Sequence, residues 1–379
     1  MIEFIFPIDG DCVNERDGKA TENGVNVSVK VKAEEGSDVY ICGKKAEYKD
    51  GVFVSDVSIC GHRNMVVADD RARGEEKRIA VYYLPKAVGR FRVSSDDNII
   101  FLQDITKNKD VYKSIFENPY LAMYKKAHDL HGAKVHLNLF YEFHPEERNR
   151  FSDKAREYFD LSMMTDKFKD EFRANSDWLK LAFHSQNEYP ECPYKNTTAE
   201  QITQDCVKVC REIVRFAGKE CISDSTTVHY GAVNREGVRA LRALGFRSLT
   251  GYFERAKDGR PLVAYYTDGE LLDHIGARDF WYDTEEDMMF GRIDHVLNTG
   301  SFEDVMAGVK AAVNDVHRGG FVSIMIHEQY FHSDYVRYLP DFEARVLESC
   351  RYLHEKGYVG AHITEVTEER HLKDNPFFR

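Results

Sequence analysis

Three apolar segments of the sequence end directly in side chains that can bind a metal ion or transfer a proton. These side chains are Asp96 and Asp97 after residues 91–95, His184 and Glu188 after residues 178–183, and His327 and Glu328 after residues 321–326. An imidazole and two carboxylates that meet at one place form an N,O₂ site for a divalent metal, with positions left for water and a substrate. An adjacent carboxylate can act as a general base and a separate histidine as a general acid. Each signal is common by chance when taken alone, but their recurrence after three strands predicts a metal-dependent hydrolase.

Alternating strand and helix patterns from residue 88 to residue 379 indicate how these strand ends come together. Thr198 with Gln201, and Ser301 with Asp304, have capping-box spacing, and apolar residues follow each pair at helical intervals. Further elements are predicted as strands over 226–231 and 246–252 and as helices over 233–244 and 341–356. Repeated β-loop-α units predict an α/β barrel, because all strands of such a barrel end on one face. A doubly wound open sheet is the alternative, although no GxGxxG or Walker-type loop supports a nucleotide site.

Residues 1–87 have a different pattern, which is typical of an all-β unit. Valines at positions 25, 27, 29 and 31 alternate with polar residues, the period of a half-buried strand. Turn dipeptides follow at short intervals, as in a small antiparallel, Ig-like sandwich. The pattern changes near Pro85, so we predict two domains, 1–87 and 88–379. We expect the first to be a packing or spacer module rather than a ligand-binding one.

The composition excludes several classes of protein. The 379 residues carry 64 acidic and 52 basic side chains, a formal net charge of −12, and 42% of them are hydrophobic. An acidic chain without basic clusters is not expected to bind nucleic acid. No apolar run reaches the ~18–20 residues of a membrane span, and the N-terminus lacks the basic segment of a signal peptide. We therefore expect a cytoplasmic protein without a membrane partner, and the oligomeric state stays open.

In the order of its motifs, the chain from residue 90 to residue 368 resembles the polysaccharide deacetylase (NodB-like) superfamily of carbohydrate esterases. The matching segments are VSSDD at 93–97 for the family's TFDD-type motif, HSQNE at 184–188 for H-[ST]-x-x-H, TVHYG at 227–231 for R-x-P-x-G, and IMIH at 324–327 for L-x-H. The second motif lacks its last histidine, and the third lacks both the arginine and the proline. The resemblance implies a seven-stranded (β/α)-type barrel, for which a small β-sandwich in front is a common accessory.

The resemblance also implies roles for individual residues. Asp96 would be the catalytic base, Asp97 and His184 metal ligands, and His327 the general acid. Glu188 would replace the missing histidine as the third ligand. His229 is the candidate to replace the missing arginine that orients the base.

Four further residues are expected beside the site, in second-shell or substrate contacts. The backbone N–H of Tyr230 would help to hold the oxyanion. Arg278 and Trp281 lie in a segment that looks like the family's fourth motif, and Glu328 follows the general acid.

The function implied is hydrolysis of an N- or O-acetyl group on a saccharide, assisted by a divalent metal. Zinc is the first expectation, and manganese, iron, cobalt or nickel are alternatives because a carboxylate-rich site prefers harder ions. Two other functions stay open. One is a glycoside hydrolase of the same barrel superfamily, and the other is a barrel that binds a glycan or a protein without catalysis.

Overall fold

The computed structural model describes residues 1–144 and 156–367. Residues 368–379, with which the predicted second domain ends, lie outside the described residues. No helix in the described part of the chain has the length and apolar character needed to span a membrane.

The N-terminal part is built from two five-stranded sheets that share one hydrophobic core. The ten strands are β1 (Glu3–Phe6), β2 (Cys12–Val13), β3 (Lys19–Thr21), β4 (Gly24–Lys32), β5 (Val39–Ile41), β6 (Lys44–Lys45), β7 (Glu47–Lys49), β8 (Val52–Ile59), β9 (Arg63–Asp70) and β10 (Glu75–Tyr83). One sheet has the order β1-β4-β8-β7 with β3 beside β4, and the other has the order β2-β10-β9-β5-β6. All pairs are antiparallel except β2 with β10.

The valine alternation predicted for β4 is confirmed. Val25, Val27, Val29 and Val31 are fully buried, and the residues between them are half-buried or exposed. They form a cluster with side chains of the second sheet, such as Ile41. The two sheets therefore enclose a common core, whereas an Ig-like arrangement of the strands stays a prediction.

The remainder of the chain is a mixed α/β structure. Its strands are β11 (Arg90–Asn98), β12 (Val135–Phe140), β13 (Glu142–Phe143), β14 (Phe159–Asp160), β15 (Leu179–Ser185), β16 (Ser225–Thr226), β17 (Ser248–Gly251), β18 (Glu254–Arg255), β19 (Pro261–Leu262), β20 (Phe280–Asp283), β21 (Met288–Arg292), β22 (His295–Val296), β23 (Phe321–His327) and β24 (Val359–Gly360). Its helices are α1 (Ile100–Lys107), α2 (Pro119–His131), α3 (Lys169–Ala174), α4 (Ala199–Phe216), α5 (Arg235–Ala243), α6 (Gly269–Ile275), α7 (Phe302–Asn314), α8 (Phe342–Glu355) and α9 (Ile363–Thr367).

Two sheets carry the strand ends predicted to form the site. One is parallel, with the order β15-β12-β11-β23-β22 and β24 beside the start of β11. The other has the order β16-β17-β21-β20 and is parallel except for β20. A parallel bridge between Leu181 and Ile222 joins their edges on one side. On the other side, the N–H of Asp294, two residues after β21, donates to the carbonyl of Ser323 on β23 at 2.8 Å. A closed seven-stranded barrel stays a prediction.

The predicted helix starts are confirmed. The Thr198 side chain accepts a hydrogen bond from the N–H of Gln201 at the start of α4. Ser301 and Asp304 form a reciprocal capping box at the start of α7. Each cap satisfies a backbone donor that the first helical turn leaves without a partner.

The strand predicted over residues 226–231 is wrong beyond Thr226. Residues His229–Gly231 form a single 3₁₀ turn, in which Tyr230 has φ 58°. Gly231 has φ 53°, and a Cβ there would lie 2.5 Å from the Val263 side chain. Two consecutive residues with positive φ turn the chain out of the sheet, so a strand cannot continue through them.

A buried ionic network joins the N-terminal sheets to the α/β part. Arg278 donates to Asp17 at 2.6 Å and to the carbonyl of Cys12 at 2.9 Å. His274 contacts Asp11 at 2.6 Å, and the Trp281 indole N–H donates to the carbonyl of Asp9. The segment expected to resemble the fourth motif therefore packs against residues 9–17.

Replacing Arg278 with methionine is expected to lower the free energy of unfolding by about 3 kcal/mol, because removing one partner of a buried ion pair leaves the other charge uncompensated. Urea denaturation measures the effect. Arg63→Met is the matched control, since Arg63 is exposed on β9, and a change within about 0.5 kcal/mol is expected. Equal effects of the two substitutions would contradict the role of Arg278 in joining the two parts.

Candidate metal centre

The predicted strand ends meet at one cavity of about 530 Å³. Asp96 and Asp97 lie near the end of β11, and Asp96 pairs directly with His327 on the neighbouring strand β23. Of the residues singled out from the sequence, the cavity is lined by Asp96, Asp97, His184, Glu188, His229, Tyr230 and His327. The convergence of carboxyl strand ends on one face therefore produces one polar site.

Three potential ligand atoms, from strands β11 and β15 and from the 3₁₀ turn after β16, lie almost in contact. His184 Nε2 is 3.1 Å from Asp97 Oδ1 and 3.1 Å from His229 Nδ1. His229 Nδ1 is 3.4 Å from the same Asp97 oxygen. Ligands roughly 2.0–2.1 Å from a tetrahedral zinc ion are separated by roughly 3.3–3.4 Å. Asp97, His184 and His229 form the one group among the described residues whose ligand atoms all lie within 4.8 Å of each other.

Each of the two imidazole rings has an inner nitrogen, which lies near Asp97, and an outer nitrogen on the other side of the ring. In a neutral ring, the partner of the outer nitrogen determines whether the inner nitrogen carries a proton or a lone pair. His184 Nδ1 contacts the backbone carbonyl of Thr227, and His229 Nε2 lies 3.1 Å from the carbonyl of Glu188. A carbonyl only accepts hydrogen bonds, so both outer nitrogens carry protons. In the neutral rings, His184 Nε2 and His229 Nδ1 therefore present lone pairs to each other and to the Asp97 carboxylate. Such an arrangement needs a positive charge between them, which a proton on one inner nitrogen or a bound metal cation supplies.

Asp97 is held by its backbone and by one neutral partner. It has φ 60°, a conformation that aspartate tolerates better than most residues. Its second oxygen accepts a hydrogen bond from Gln329 Nε2 at 2.7 Å. Burial raises the pKa of Asp97, but hydrogen bonds from His184 and His229 outweigh burial and place the pKa well below its usual value. The carboxylate is thus ionised and directed at the two histidines.

The two histidines differ in basicity because burial and the Asp97 charge act on them in different proportions. Burial favours the neutral ring in both. At His184 burial is the largest single cause, but the hydrogen bond to Asp97 and the charges of Asp96 and Asp97 together outweigh it, and the pKa is raised. At His229 burial is the larger effect, and the pKa is lowered.

Glu188 lies beside this group of three but outside it. Its carboxylate Oε2 is 4.0 Å from His229 Nε2, which is the outer nitrogen of that ring. Its backbone carbonyl, by contrast, orients His229. His229, which was expected to orient the base, thus belongs to the converging group, whereas Glu188, which was expected as the third ligand, accepts a hydrogen bond from His229 through its backbone carbonyl.

Asp96 accepts a hydrogen bond from an amide rather than from an arginine. Asn138 Nδ2 on β12 donates to Asp96 Oδ1 at 2.6 Å, and Asn138 Oδ1 lies 3.0 Å from the Thr226 hydroxyl. The amide is therefore fixed on both sides. Sequence reasoning missed Asn138, although it lies in an apolar strand where a lone asparagine is a visible signal.

His327 is oriented across the cavity by a second asparagine. Its Nδ1 is 2.8 Å from Asn298 Oδ1, which also accepts the His327 backbone N–H at 3.2 Å. Nδ1 therefore donates, and Nε2 is available to the cavity. Tyr252, which follows β17, also lines the cavity. Burial is the main cause of its raised pKa, followed by the charges of Asp96 and Asp97, so its phenol stays a hydrogen-bond donor.

Three of the residues expected beside the site lie elsewhere. Arg278 and Trp281 contact residues 9–17, as described above. Glu328 is fully buried and accepts hydrogen bonds from the backbone N–H groups of residues 99–101, at the start of α1. A carboxylate at a helix N-terminus is stabilised by the exposed N–H groups and the helix dipole. Glu328 thus fixes the helix that follows Asp96 and Asp97.

The chain matches no family model and no curated protein. Among solved structures it is similar to a peptidoglycan N-acetylglucosamine deacetylase, with 10% identity and a TM-score of 0.35, over 75% of this chain and 90% of that chain. It is also similar to a CE4 family pseudoenzyme from Bacillus anthracis, with 10% identity and a TM-score of 0.32, over 82% and 86% of the two chains. For the 4-alpha-glucanotransferase from Thermococcus litoralis the values are 11% identity, a TM-score of 0.43, and 74% and 40% coverage. These likenesses are too distant to assign a function.

Replacing His229 with alanine is expected to weaken divalent-metal binding by more than about 100-fold, since even changes to residues that only orient a ligand cost about 10–100-fold. Glu188→Gln keeps the backbone carbonyl that orients His229, so it should retain at least a tenth of the wild-type affinity. Competitive titration of the metal-free proteins with Zn²⁺ measures both. The reverse order of effects would identify Glu188, rather than His229, as the third ligand.

Proposed function

We propose that this protein is a metal-dependent hydrolase that removes an acetyl group from a nitrogen or oxygen of a saccharide. The observation that carries the proposal is the convergence of Asp97, His184 and His229, with their lone pairs facing each other. Asp96 and His327 line the same cavity, as a general base and a general acid would. The order of the sequence motifs supplies the acetylated saccharide as the substrate class.

The donor set favours zinc. Two imidazole nitrogens and one carboxylate oxygen form an N₂O set, whereas a set with Glu188 would contain one nitrogen and two oxygens. A three-residue zinc site of this kind leaves a fourth position for water or substrate. A zinc ion bound there supplies Lewis acidity towards an acetyl carbonyl and lowers the pKa of a bound water.

Asp96 has the place and the partners of the general base. It adjoins Asp97 in the sequence, lines the cavity and is held by the Asn138 amide. Because one of its oxygens is engaged by Asn138, the other can take the proton of a water that attacks the acetyl carbon. The hydrogen bond from Asn138 thus orients the base, which is the role of the arginine that this sequence lacks.

His327 completes the hydrolysis on the side of the leaving group. Its Nδ1–H is held by Asn298, so Nε2 can carry a proton into the cavity. When the bond from the acetyl carbon to the sugar nitrogen or oxygen breaks, His327 supplies a proton to the leaving atom. The products are acetate and the free amine or hydroxyl of the sugar. The backbone N–H of Tyr230 and the hydroxyl of Tyr252 are the candidate donors to the developing oxyanion.

Tyrosines make up much of the remaining wall of the cavity. Tyr189, Tyr230, Tyr252, Tyr330 and Tyr335 line it. Tyrosine combines an apolar ring with a polar hydroxyl, and a sugar likewise has apolar C–H faces and polar hydroxyls. This composition supports a saccharide rather than an apolar acyl chain as the occupant.

Acetate release from N-acetylated and O-acetylated oligosaccharides tests the proposal. The zinc-loaded protein should release acetate, and Asp96→Asn and His327→Ala should each lower kcat by about 10²–10⁴-fold, the usual contribution of general acid–base catalysis. Metal content measured on the same samples should stay at the wild-type level. Reducing ends without acetate would instead show a glycoside hydrolase, and saccharide binding without any product would show a non-catalytic barrel.

Substituting Asn138 with alanine tests whether this amide positions the base. We expect kcat to fall by about 10–100-fold, the usual cost of losing an orienting partner, while KM and zinc affinity change little. Asn23→Ala, in an exposed turn of the N-terminal part, is the matched control and should leave kcat unchanged. A loss in KM or in bound zinc, with kcat intact, would contradict the positioning role.

A further inference from the structure

A second cavity, of about 260 Å³, lies at the opposite end of the parallel sheet from the metal centre. Lys134, Asp224 and residues 176–177 line it, and each of them closely precedes a parallel strand: β12, β16 and β15. The metal centre, in contrast, is formed where strands end. His362, which follows β24, and Lys180, the second residue of β15, complete the part of the wall that matters here.

Basic side chains collect on the inner side of this end of the sheet. His136 on β12 pairs with Ser94 on one side and with Lys180 on the other. Arg92 lies two residues before Ser94, so it shares the same face of β11. Burial lowers the pKa of His362 well below its usual value, and the next causes are four basic groups: Lys134, Lys180, His136 and Arg92. Two of these groups, Lys134 and Lys180, line the cavity with His362, together with the carboxylates of Asp177, Asp224 and Glu365.

One buried nitrogen at this end of the sheet, His136 Nε2, has no hydrogen-bond partner. Arg92 is almost completely buried, and its partners are the hydroxyls of Ser94, Thr250 and Ser323 and a ring nitrogen of His136. Since that ring nitrogen, Nδ1, accepts from Arg92, the His136 proton is on Nε2, where it has no partner. Buried donors in proteins are nearly always satisfied, and each exception needs an explanation.

His362 gives the second, independent indication of a ligand. Its side chain is only 7% exposed, it lines the cavity, and neither of its ring nitrogens has a hydrogen-bond partner. Lys180, which also lines the cavity, donates to the backbone carbonyl of Glu220 rather than to a carboxylate. Both side chains can therefore donate to a group inside the cavity.

The carboxylates of the cavity do not form a cation site. Glu365 contacts Lys134 and accepts the backbone N–H of His362, and Asp224 accepts the Thr364 hydroxyl. Among the described residues, the only His, Cys, Asp and Glu side chains that converge closely enough to hold a metal ion are those of the metal centre. The unsatisfied side-chain atoms at this end are ring nitrogens of His362 and His136, and a buried N–H without a partner favours a ligand that offers acceptor oxygens.

We propose that this cavity binds a small oxyanion, whose phosphate or carboxylate oxygens accept hydrogen bonds from His362 and Lys180. The volume is sufficient, because a water molecule takes up about 30 Å³ in the liquid and a small oxyanion needs only a few times that space. The ligand would supply a hydrogen-bond partner to the His362 ring, whose nitrogens have none within the protein. The site is separate from the proposed chemistry, since the cavity shares no lining residue with the metal centre.

Thermal unfolding of the full-length protein in inorganic phosphate, sulfate, acetate or chloride, at equal ionic strength, tests the proposal. A ligand at about 100 times its Kd should raise the unfolding midpoint by several degrees. We expect this rise with phosphate or acetate relative to chloride, and the two arms separate a phosphate site from a carboxylate site. His362→Leu and Lys180→Met should abolish the rise, and Lys195→Met, an exposed lysine, should retain it.

Asp97→Asn separates this site from anion binding at the metal centre, because it weakens the centre and should leave the rise intact. If His362→Leu does not fold, Lys180→Met still carries the test, since Lys180 is only half-buried. Crystals soaked in selenate give a direct second measurement, with an anomalous peak expected between His362 and Lys180. The proposal is overturned if no oxyanion raises the midpoint, if the rise persists in both variants, or if the peak lies elsewhere.

Discussion

The metal centre depends on two backbone carbonyls, those of Thr227 and Glu188, which fix the rings of His184 and His229. Each carbonyl requires a proton on the outer nitrogen of its ring, so the inner nitrogens of the neutral rings present lone pairs beside Asp97. A backbone carbonyl can only accept a hydrogen bond, whereas a hydroxyl or a side-chain amide could also donate one to the ring. The backbone therefore orients both imidazole rings whether or not a metal ion is bound.

The rest of the fold keeps these carbonyls and side chains in place. The 3₁₀ turn His229–Gly231 lies beyond the end of β16, and its first residue has Nδ1 3.1 Å from His184 Nε2. Glu328 accepts hydrogen bonds at the start of α1, the helix that follows the end of β11 where Asp97 lies. Gln329, the next residue in sequence, donates a hydrogen bond to the second Asp97 oxygen. Residues that never contact a substrate thus determine the geometry in which one would react.

The sequence was sufficient to predict features that depend on local patterns. The alternation of valines in β4, the caps at Thr198 and Ser301, and the polar ends of β11, β15 and β23 follow from periodicity and spacing, and the structure shows them. His229 was placed in a strand, because a turn made by Tyr230 and Gly231 has no periodicity to reveal it. The tertiary contacts of Arg278 and Trp281 with residues 9–17 were equally inaccessible, because they join segments more than 250 positions apart.

Strand β11 carries a buried positive charge near its start and two carboxylates near its end. Its last residues carry the carboxylates of Asp96 and Asp97, and four residues before Asp96 it carries the guanidinium of Arg92. Burial lowers the pKa of Arg92 to about 10, and Asp96 is the first of the charges that oppose this shift. Arg92 therefore stays charged at neutral pH, and its partners are the hydroxyls of Ser94, Thr250 and Ser323 and the ring of His136. The charge of Arg92 thus acts on Asp96, which also accepts the hydrogen bond from the Asn138 amide. The same guanidinium also adds to the positive field at His362, so one residue links the electrostatics of the two cavities.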